Sequence, residues 1–192
     1  MQNQLEELRR ICLSCQRCSL CQIRNNVVFG VGNPETDIMF IGEAPGENED
    51  LQGEPFVGRA GQLLDKLLSD IGLSRKENIY IANILKCRPP QNRDPEPHEI
   101  EKCSEYLEKQ IEIISPKIIV LVGRIAAIHF LGADFKMTKQ HGNGYYKDGI
   151  IYFPVFHPAA VLRNMNLLPG TEDDFRKLSV MMHQLKEGAA DE

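Results

Sequence analysis

Four of the six cysteines lie close together near the N-terminus, in the pattern C-x2-C-x2-C-x2-C. These four are Cys12, Cys15, Cys18 and Cys21. The other two, Cys87 and Cys103, lie far along the chain. The first residues, MQNQLEELRRI, are charged and lack the apolar core of a signal peptide, so we expect a cytoplasmic protein with reduced thiols. Clustered thiols in such a compartment are typical ligands of a metal ion or an iron–sulfur cluster.

The cysteines allow three ligand arrangements to be compared. The N-terminal four resemble a ferredoxin run, although the last spacing is two residues rather than three and no Pro follows. Zinc would use two C-x2-C pairs, but Cys87 and Cys103 form no second pair of that kind. A third arrangement combines two of the N-terminal cysteines with Cys87 and Cys103. Isolated cysteines are also common as small buried hydrophobes, and we expect that role for two of the six.

Polar side chains of a second group follow or interrupt apolar runs. The acidic segment GEAPGENED, which contains Glu43, follows such a run, and an acid there suits water activation or stabilisation of a cation. Asn83 stands among Ile residues in IYIANILK, where a planar amide could pair with the edge of a nucleobase. His157 follows an apolar run, and Pro158 turns the chain so that the ring is expected to face a cleft. Each of these residues also has a purely structural interpretation, as does Phe56, which is either core or a stacking surface.

The charge distribution excludes a uniformly basic, nucleic-acid-binding coat. Lys and Arg number 22 against 27 Asp and Glu, which gives a net charge of −5. Residues 78–93 and 149–171 contain no acid, however, and carry Lys86, Arg88 and Arg163 among their bases. Any nucleic-acid contact is therefore expected to come from local basic surfaces. Nucleotide phosphate motifs are excluded, because GEAPGENED has no Lys and the GVG segment lacks both a third glycine and a following helix.

The order of apolar segments predicts how these groups are positioned. The chain of 192 residues suits one domain and contains no apolar run long enough to span a membrane. Four strands are predicted at 38–41, 79–83, 117–122 and in GIIYFPVFHP, with a further short strand at 27–29. Helices are predicted at 2–11, 59–71, 96–114, 124–131 and 175–185, and the GAADE tail is expected to fray. This alternation predicts a parallel sheet with helices on both faces, whose functional groups collect at the carboxyl ends of the strands.

Four motifs together resemble one enzyme family. GEAPGENED, GEPFVGRAGQLLD, NILKCRPPQNRDP and HPAAVLR resemble, in this order, the motifs of the family-4 uracil-DNA glycosylases, the iron–sulfur type. The match runs from Cys15 to about Arg163. It implies a three-layer α/β/α fold with a central four-stranded parallel sheet, and a single domain over residues 1–192 with an N-terminal iron–sulfur segment. It also implies a [4Fe–4S] cluster whose ligands are Cys15, Cys18, Cys87 and Cys103.

The resemblance further implies a repair reaction in which deoxyuridine is flipped out of DNA and its N-glycosidic bond is hydrolysed. Glu43 and His157 would be catalytic. Related glycosylases place an Asp where Ala44 stands here, and this family places the Glu one residue earlier. Phe56 would stack on uracil and Asn83 would hydrogen-bond its edge. Two further substrate contacts, from the backbone, would be those of Gly42 and Ala44.

Recognition of DNA and exclusion of thymine involve further residues. Arg163, Lys86 and Arg88 would contact DNA, and Leu162 is a candidate wedge in the minor groove. Related enzymes place a bulky Tyr against the C5 methyl group at the position of Gly46, and we expect Glu49 to fill that space. The expected partner is uracil-containing DNA, single- or double-stranded, bound by a monomer with no membrane partner. Two other classes stay open: an electron-transfer iron–sulfur protein, and a non-catalytic DNA-binding or polymerase-associated module of the same fold.

Overall fold

A computed structural model of the chain describes residues 1–188. Its centre is a six-stranded sheet. The strands are β1 (Val31–Gly32), β2 (Ile38–Gly42), β3 (Tyr80–Asn83), β4 (Ile118–Val122), β5 (Tyr145–Lys147) and β6 (Ile150–Val155). Their order across the sheet is β1-β3-β2-β4-β6-β5. Residues 189–192, which belong to the tail expected to fray, lie outside the described part of the chain.

The four inner strands of this sheet run parallel, and the two edge strands run antiparallel to their neighbours. Every residue of β2 and β4 is buried, as their uninterrupted apolar sequences require of strands covered on both faces. The predicted α/β class is confirmed, but the sheet is six-stranded and mixed rather than four-stranded and parallel. The predicted strand at 27–29 is wrong: this segment forms no strand, and the first strand begins at Val31.

Eight helices surround the sheet in the described part of the chain. They are α1 (Gln2–Leu13), α2 (Glu47–Gln52), α3 (Arg59–Ser69), α4 (Pro97–Ile114), α5 (Arg124–Leu131), α6 (Met137–Gln140), α7 (Pro158–Arg163) and α8 (Leu168–Gly188). The five predicted helices are confirmed, although α8 begins seven residues before the predicted start at Phe175. The short helices α2, α6 and α7 were not predicted, and two of them follow strand ends that contribute to the cleft described below.

Two hydrophobic cores lie on opposite faces of the sheet. One contains buried residues of α1, α4 and α5, including Leu8, Leu107 and Ala127. The other contains Leu64 of α3 and Phe175 of α8. Helices therefore cover both faces, and the parallel strands bring their carboxyl ends to one edge, where the polar groups identified in the sequence meet. None of the described helices is long and apolar enough to cross a membrane.

Candidate active site

A cleft of about 490 Å³ opens at the carboxyl ends of the parallel strands. Residues that follow β2, β3, β4 and β6 line it, together with the loop before α4. Those with chemistry to offer are Glu43, Phe56, Asn83, Asp94, Arg124 and His157. The fold thus brings together the acid, amide, aromatic ring and imidazole that the sequence singled out.

Asn83, the last residue of β3, presents an unpaired acceptor at the base of this cleft. Its side chain is 2% exposed, and its Oδ1 atom has no hydrogen-bond partner among the described residues. A buried unpaired acceptor costs about 1–3 kcal/mol, so this amide is suited to a ligand that donates a hydrogen bond. A Cβ at Gly42 would lie 2.4 Å from Oδ1, so only glycine at the end of β2 leaves the amide in this place.

Phe56 lines the same cleft from a strained backbone position. Its φ of 54° lies in the left-handed region, which a bulky residue rarely adopts. The ring stacks against the His157 imidazole, with 5.5 Å between the ring centroids and an interplanar angle of 29°. A Cβ at Gly42 would also come within 2.7 Å of Cζ of Phe56, so the same glycine admits both the ring and the amide.

His157 is held by the helix that it starts. It is the N-cap of α7, and its Nδ1 accepts a hydrogen bond from the Ala159 amide at 3.1 Å. Burial lowers the pKa of His157 to about 4, and the positive charge of Arg163 contributes to the same shift. The neutral ring accepts through Nδ1 and therefore carries its proton on Nε2, where it is a hydrogen-bond donor. Gly123 has a φ of 96° and makes room for the ring, because a Cβ there would lie 2.9 Å from Cβ of His157.

Glu43 is a half-buried carboxyl group whose proton is retained to near neutral pH. Burial raises the pKa of Glu43 to about 7; the negative charge of Asp94 adds to this shift and Arg124 opposes it. Asp94 and Arg124 pair with each other at 2.8 Å between Oδ2 and the guanidinium. Sequence reasoning missed both residues as part of the site. The only signal was their position, since Asp94 ends the acid-free segment and Arg124 follows the β4 strand end.

Glu49 turns back from α2 toward the start of that helix. Its Oε1 accepts hydrogen bonds from the Val57 and Gly58 amides at 2.9 and 3.1 Å. Its Oε2 lies 2.7 Å from the place that a Cβ at Gly46 would take. The side chain therefore occupies the space beside Gly46, and its expected role in excluding thymine stays a prediction.

The four residues expected to contact DNA lie in different surroundings. Leu162 is 36% exposed on α7, and the exposed Arg163 lines the cleft. Arg88 is partly buried, donates from Nε to Asn92 Oδ1 at 2.7 Å and lies 3.8 Å from Glu47.

Lys86 does not fit the predicted role in DNA binding. Its side chain is 1% exposed, and its ammonium group donates to the Asn83 carbonyl at 2.9 Å and to Gln110 Oε1 at 2.6 Å. A charge buried in this way presents no donor to a phosphate. The local excess of bases predicted the surface but could not show that this side chain points inward.

All six cysteines line one pocket on the α1 and α4 side of the sheet. All are free thiols, so none is lost to a disulfide. The Arg24 guanidinium lies 3.4 Å from Cys87 Sγ, and the Lys86 amide donates to Cys103 Sγ at 3.3 Å. Several thiols with N–H donors and cations beside them suit a site for an iron–sulfur cluster, whose sulfur ligands carry negative charge. The pocket includes Cys12 and Cys21 as well, so its lining does not choose among the ligand sets.

Comparison with known proteins identifies the family. The family model of the uracil DNA glycosylase superfamily matches residues 29–180, which include the whole cleft. The chain belongs to the uracil-DNA glycosylase superfamily. A type-4 uracil-DNA glycosylase of Sulfurisphaera tokodaii is 48% identical over 182 residues, 91% of this chain and 83% of that protein. The resemblance to family 4 seen in the four motifs is thus confirmed.

Two further relatives differ in the share of their own length that this chain covers. A type-4 uracil-DNA glycosylase of Archaeoglobus fulgidus is 45% identical over 182 residues, 91% of this chain and 91% of that protein. A DNA polymerase of Bacillus phage SP01 is 33% identical over 159 residues, which cover 83% of this chain but only 17% of the polymerase. The superfamily domain therefore also matches part of a much larger protein.

Proposed function

We propose that this chain excises uracil from DNA by hydrolysing the N-glycosidic bond and leaves an abasic site. The observation that carries the proposal is the unpaired, buried Oδ1 of Asn83 in a cleft walled by Phe56 and His157. A nucleobase flipped out of a helix is flat and carries hydrogen-bonding groups along one edge. An aromatic wall and a planar amide match both properties.

Base selection follows from the orientation of the Asn83 amide. Uracil offers an N3–H donor to Oδ1, which needs one, and its O4 accepts from the amide nitrogen. Cytosine reverses both groups and would leave the buried amide mispaired, a difference that hydrogen-bonding sites convert into strong discrimination. Thymine differs from uracil only by a methyl group, and the Glu49 side chain in the space beside Gly46 is the proposed obstacle to it.

Bond cleavage builds positive charge on the sugar and negative charge on the uracil ring. The neutral His157 would donate from Nε2 to uracil O2 as charge develops there. Because the ring is buried, little water would compete for this hydrogen bond. Glu43, in its carboxylate form, would orient the attacking water and stabilise the positive sugar. Backbone groups of Gly42 and Ala44 at the β2 strand end would complete the contacts around the base.

The DNA strand would lie across the mouth of the cleft. Arg163 supplies positive charge at its edge, Arg88 adds charge near the loop before α4, and the exposed Leu162 is the proposed wedge. We propose that residues 1–192 form a single domain and that the chain acts as a monomer. Lys86 is withdrawn from the set of DNA contacts and becomes an internal support of the β3 end.

The cysteine pocket is proposed to hold a [4Fe–4S] cluster through Cys15, Cys18, Cys87 and Cys103. When bound, the cluster would tie the N-terminal segment to the β3 end and to α4, and hydrolysis needs no redox step. Its proposed ligand Cys87 lies four residues beyond Asn83, so the support for base recognition and the cysteine pocket share one segment of chain.

The test is release of free uracil. The purified protein is incubated with an oligonucleotide that carries one uracil, uracil is measured by chromatography, and abasic sites are revealed by alkali cleavage. We expect stoichiometric release of both products, and the Glu43→Gln variant serves as the matched control. Absence of uracil release from a folded protein that still carries iron would refute the proposal.

The similarity to the phage DNA polymerase favours a second candidate function, a DNA-binding module without catalysis. This candidate predicts that uracil-containing DNA binds but that no base is released. An electron-transfer role instead predicts a reversible redox couple that does not depend on Glu43 or His157. The same assay, with DNA binding measured in parallel, separates all three.

A further inference from the structure

Phe56 is held in a backbone conformation that it would not adopt unaided. Its φ is 54°, and a bulky side chain remains in this region only where the surroundings impose it. The ring is almost fully buried and faces the cleft beside His157. Something outside the cleft must therefore fix the chain at residues 55–58.

Arg75 makes this contact from a distant part of the chain. Its guanidinium donates to the Pro55 carbonyl at 2.7 Å and to the Phe56 carbonyl at 2.8 Å. Arg75 follows the end of α3, so the contact closes a loop of about twenty residues and is not a local turn. Two parallel donors to consecutive carbonyls match the planar fork of arginine, which lysine cannot reproduce.

Asp65 fixes the guanidinium in turn. The Arg75 Nε atom donates to Asp65 Oδ1 at 2.8 Å, and the Arg75 side chain is only 14% exposed although Asp65 itself is half exposed. The Asp65 carboxylate thus balances the positive charge of the largely buried Arg75 guanidinium. Because Asp65 belongs to α3, the Asp65–Arg75 contact connects the backbone at Phe56 to this helix.

The amide side of the same turn is held independently. Glu49 accepts from the amides of Val57 and Gly58, so the amides after Phe56 and the carbonyls of Pro55 and Phe56 are bound by two different side chains. Gly61 permits this packing, because a Cβ there would lie 1.8 Å from the Phe56 carbonyl oxygen. The turn is thus clamped at its carbonyls by Arg75 and at its amides by Glu49.

We propose that Arg75, fixed by Asp65, is a positioning residue for uracil excision, which acts by holding Phe56 in the orientation that stacks on the flipped base. The inference rests on the proposed function and names a determinant of base binding that lies outside the cleft. Arg75 touches neither base nor sugar, so its effect passes through the Phe56 backbone.

The first experiment compares Arg75→Gln, Arg75→Lys and Asp65→Asn with the exposed control Arg176→Gln. Measured are the single-turnover rate, the half-saturating concentration of uracil DNA and the inhibition constant of free uracil. Arg75→Gln should weaken inhibition by free uracil by up to about 5- to 150-fold, the range for losing one base–aromatic stack. Arg75→Lys should recover part of the loss, Asp65→Asn should lose less than Arg75→Gln, and Arg176→Gln should equal wild type.

A double-mutant cycle with Phe56→Ala decides whether the effect passes through the ring. If Arg75 acts by positioning Phe56, Arg75→Gln should cause no further loss in the Phe56→Ala background. Additive losses in the double variant, or an Arg75→Gln variant that free uracil inhibits as strongly as wild type, would overturn the inference. The proposed function would still stand in that case, provided that the wild-type protein excises uracil. Should Arg75→Gln fail to fold, Asp65→Asn and Arg75→Lys carry the same cycle. A folded wild type that releases no uracil would instead remove the proposed function, and this inference with it.

Discussion

At the scale of single residues, the cleft contains polar groups whose hydrogen-bonding capacity or charge the protein itself does not fully satisfy. Asn83 has a buried acceptor without a donor, and His157 has a donor nitrogen that its helix does not use. Glu43 keeps its proton to near neutrality because burial disfavours the charge. Each incomplete group matches one need of the proposed reaction: base recognition, stabilisation of the leaving anion, and activation of water.

Asn83→Asp should weaken uracil excision and reduce discrimination against cytosine. An ionised carboxylate cannot donate to O4, and a protonated one presents a different pattern of donor and acceptor. Leaving one buried group mispaired costs about 1–3 kcal/mol, which corresponds to a loss of roughly 5- to 150-fold in single-turnover rate on uracil. The measurement compares U·G with C·G oligonucleotides. Unchanged uracil kinetics would remove Asn83 from the base-binding site.

The rate of excision should rise with pH as Glu43 loses its proton. The pKa of Glu43 is raised to about 7, so the required carboxylate is scarce below that pH and predominant above it. The neutral His157, whose pKa is lowered to about 4, does not titrate in the same range. Single-turnover rates measured across pH should therefore increase through a midpoint near 7 and then level off.

Two variants check this assignment. Glu43→Gln should lower the rate by about 10²–10⁴ and abolish the pH dependence, as for other acid–base groups. Asp94→Asn removes a charge that raises the Glu43 pKa, so the midpoint should move to lower pH. A Glu43→Gln variant as fast as wild type would transfer the role to Glu47, Glu49 or Asp50.

At the scale of elements, short helices position the reactive groups, and these were the elements that the sequence predicted least well. The long helices α3, α4 and α5 and the buried strands follow from apolar periodicity. α2 and α7 each contain six residues, too few for a periodic pattern to predict them. The edge strand β1 contains only two residues, so it has no sequence pattern of its own, and it forms by pairing with the distant strand β3. Such elements exist because of their neighbours rather than their own propensities.

His157 links an element to the chemistry, because its ring both caps α7 and faces the cleft. His157→Ala should lower single-turnover excision by about 10²–10³, the usual cost of losing a preorganised donor to a developing anion. It should also destabilise the protein by about 0.5–2 kcal/mol through loss of the cap. His157→Ser separates the two effects, since serine can cap α7 but cannot reach the base.

The expected result is that His157→Ser unfolds near the wild-type temperature yet is as slow as His157→Ala. Thermal unfolding and single-turnover kinetics measure the two properties on the same samples. If His157→Ser instead restored the excision rate, the imidazole would be a structural cap only.

At the scale of the whole molecule, the cleft and the cysteine pocket are joined by the segment that follows β3. Asn83, Lys86 and Cys87 stand within five residues, and Lys86 binds the Asn83 carbonyl from inside the protein. The sequence predicted which residues would gather at the sheet edge, because parallel strands place their carboxyl ends together. It could not predict that Lys86 turns inward or that Asp94 pairs with Arg124, because such contacts depend on how separate loops pack.

The same arrangement makes the cysteine pocket a support for the entire N-terminal segment. The four proposed ligands come from the segment after α1, the segment after β3, and α4, so a cluster there would tie three parts of the chain together. If the cluster is of the [4Fe–4S] type, protein purified without oxygen should be brown, absorb at about 400 nm and contain about four iron atoms per chain. Cys87→Ala and Cys103→Ala should lose this absorption and unfold at lower temperature, because the clamp between segments is lost.

Cys12→Ala is the matched control, since Cys12 lines the same pocket but is not a proposed ligand. Cys12 is fully buried on α1 among apolar neighbours, so its removal should leave iron content unchanged and cost only the packing of one small side chain. Iron content and absorption are measured for each variant alongside thermal unfolding. If Cys12 and Cys21 proved essential for iron while Cys87 was dispensable, the ligands would be the N-terminal run of four, and the connection between the cluster and the β3 end would be lost.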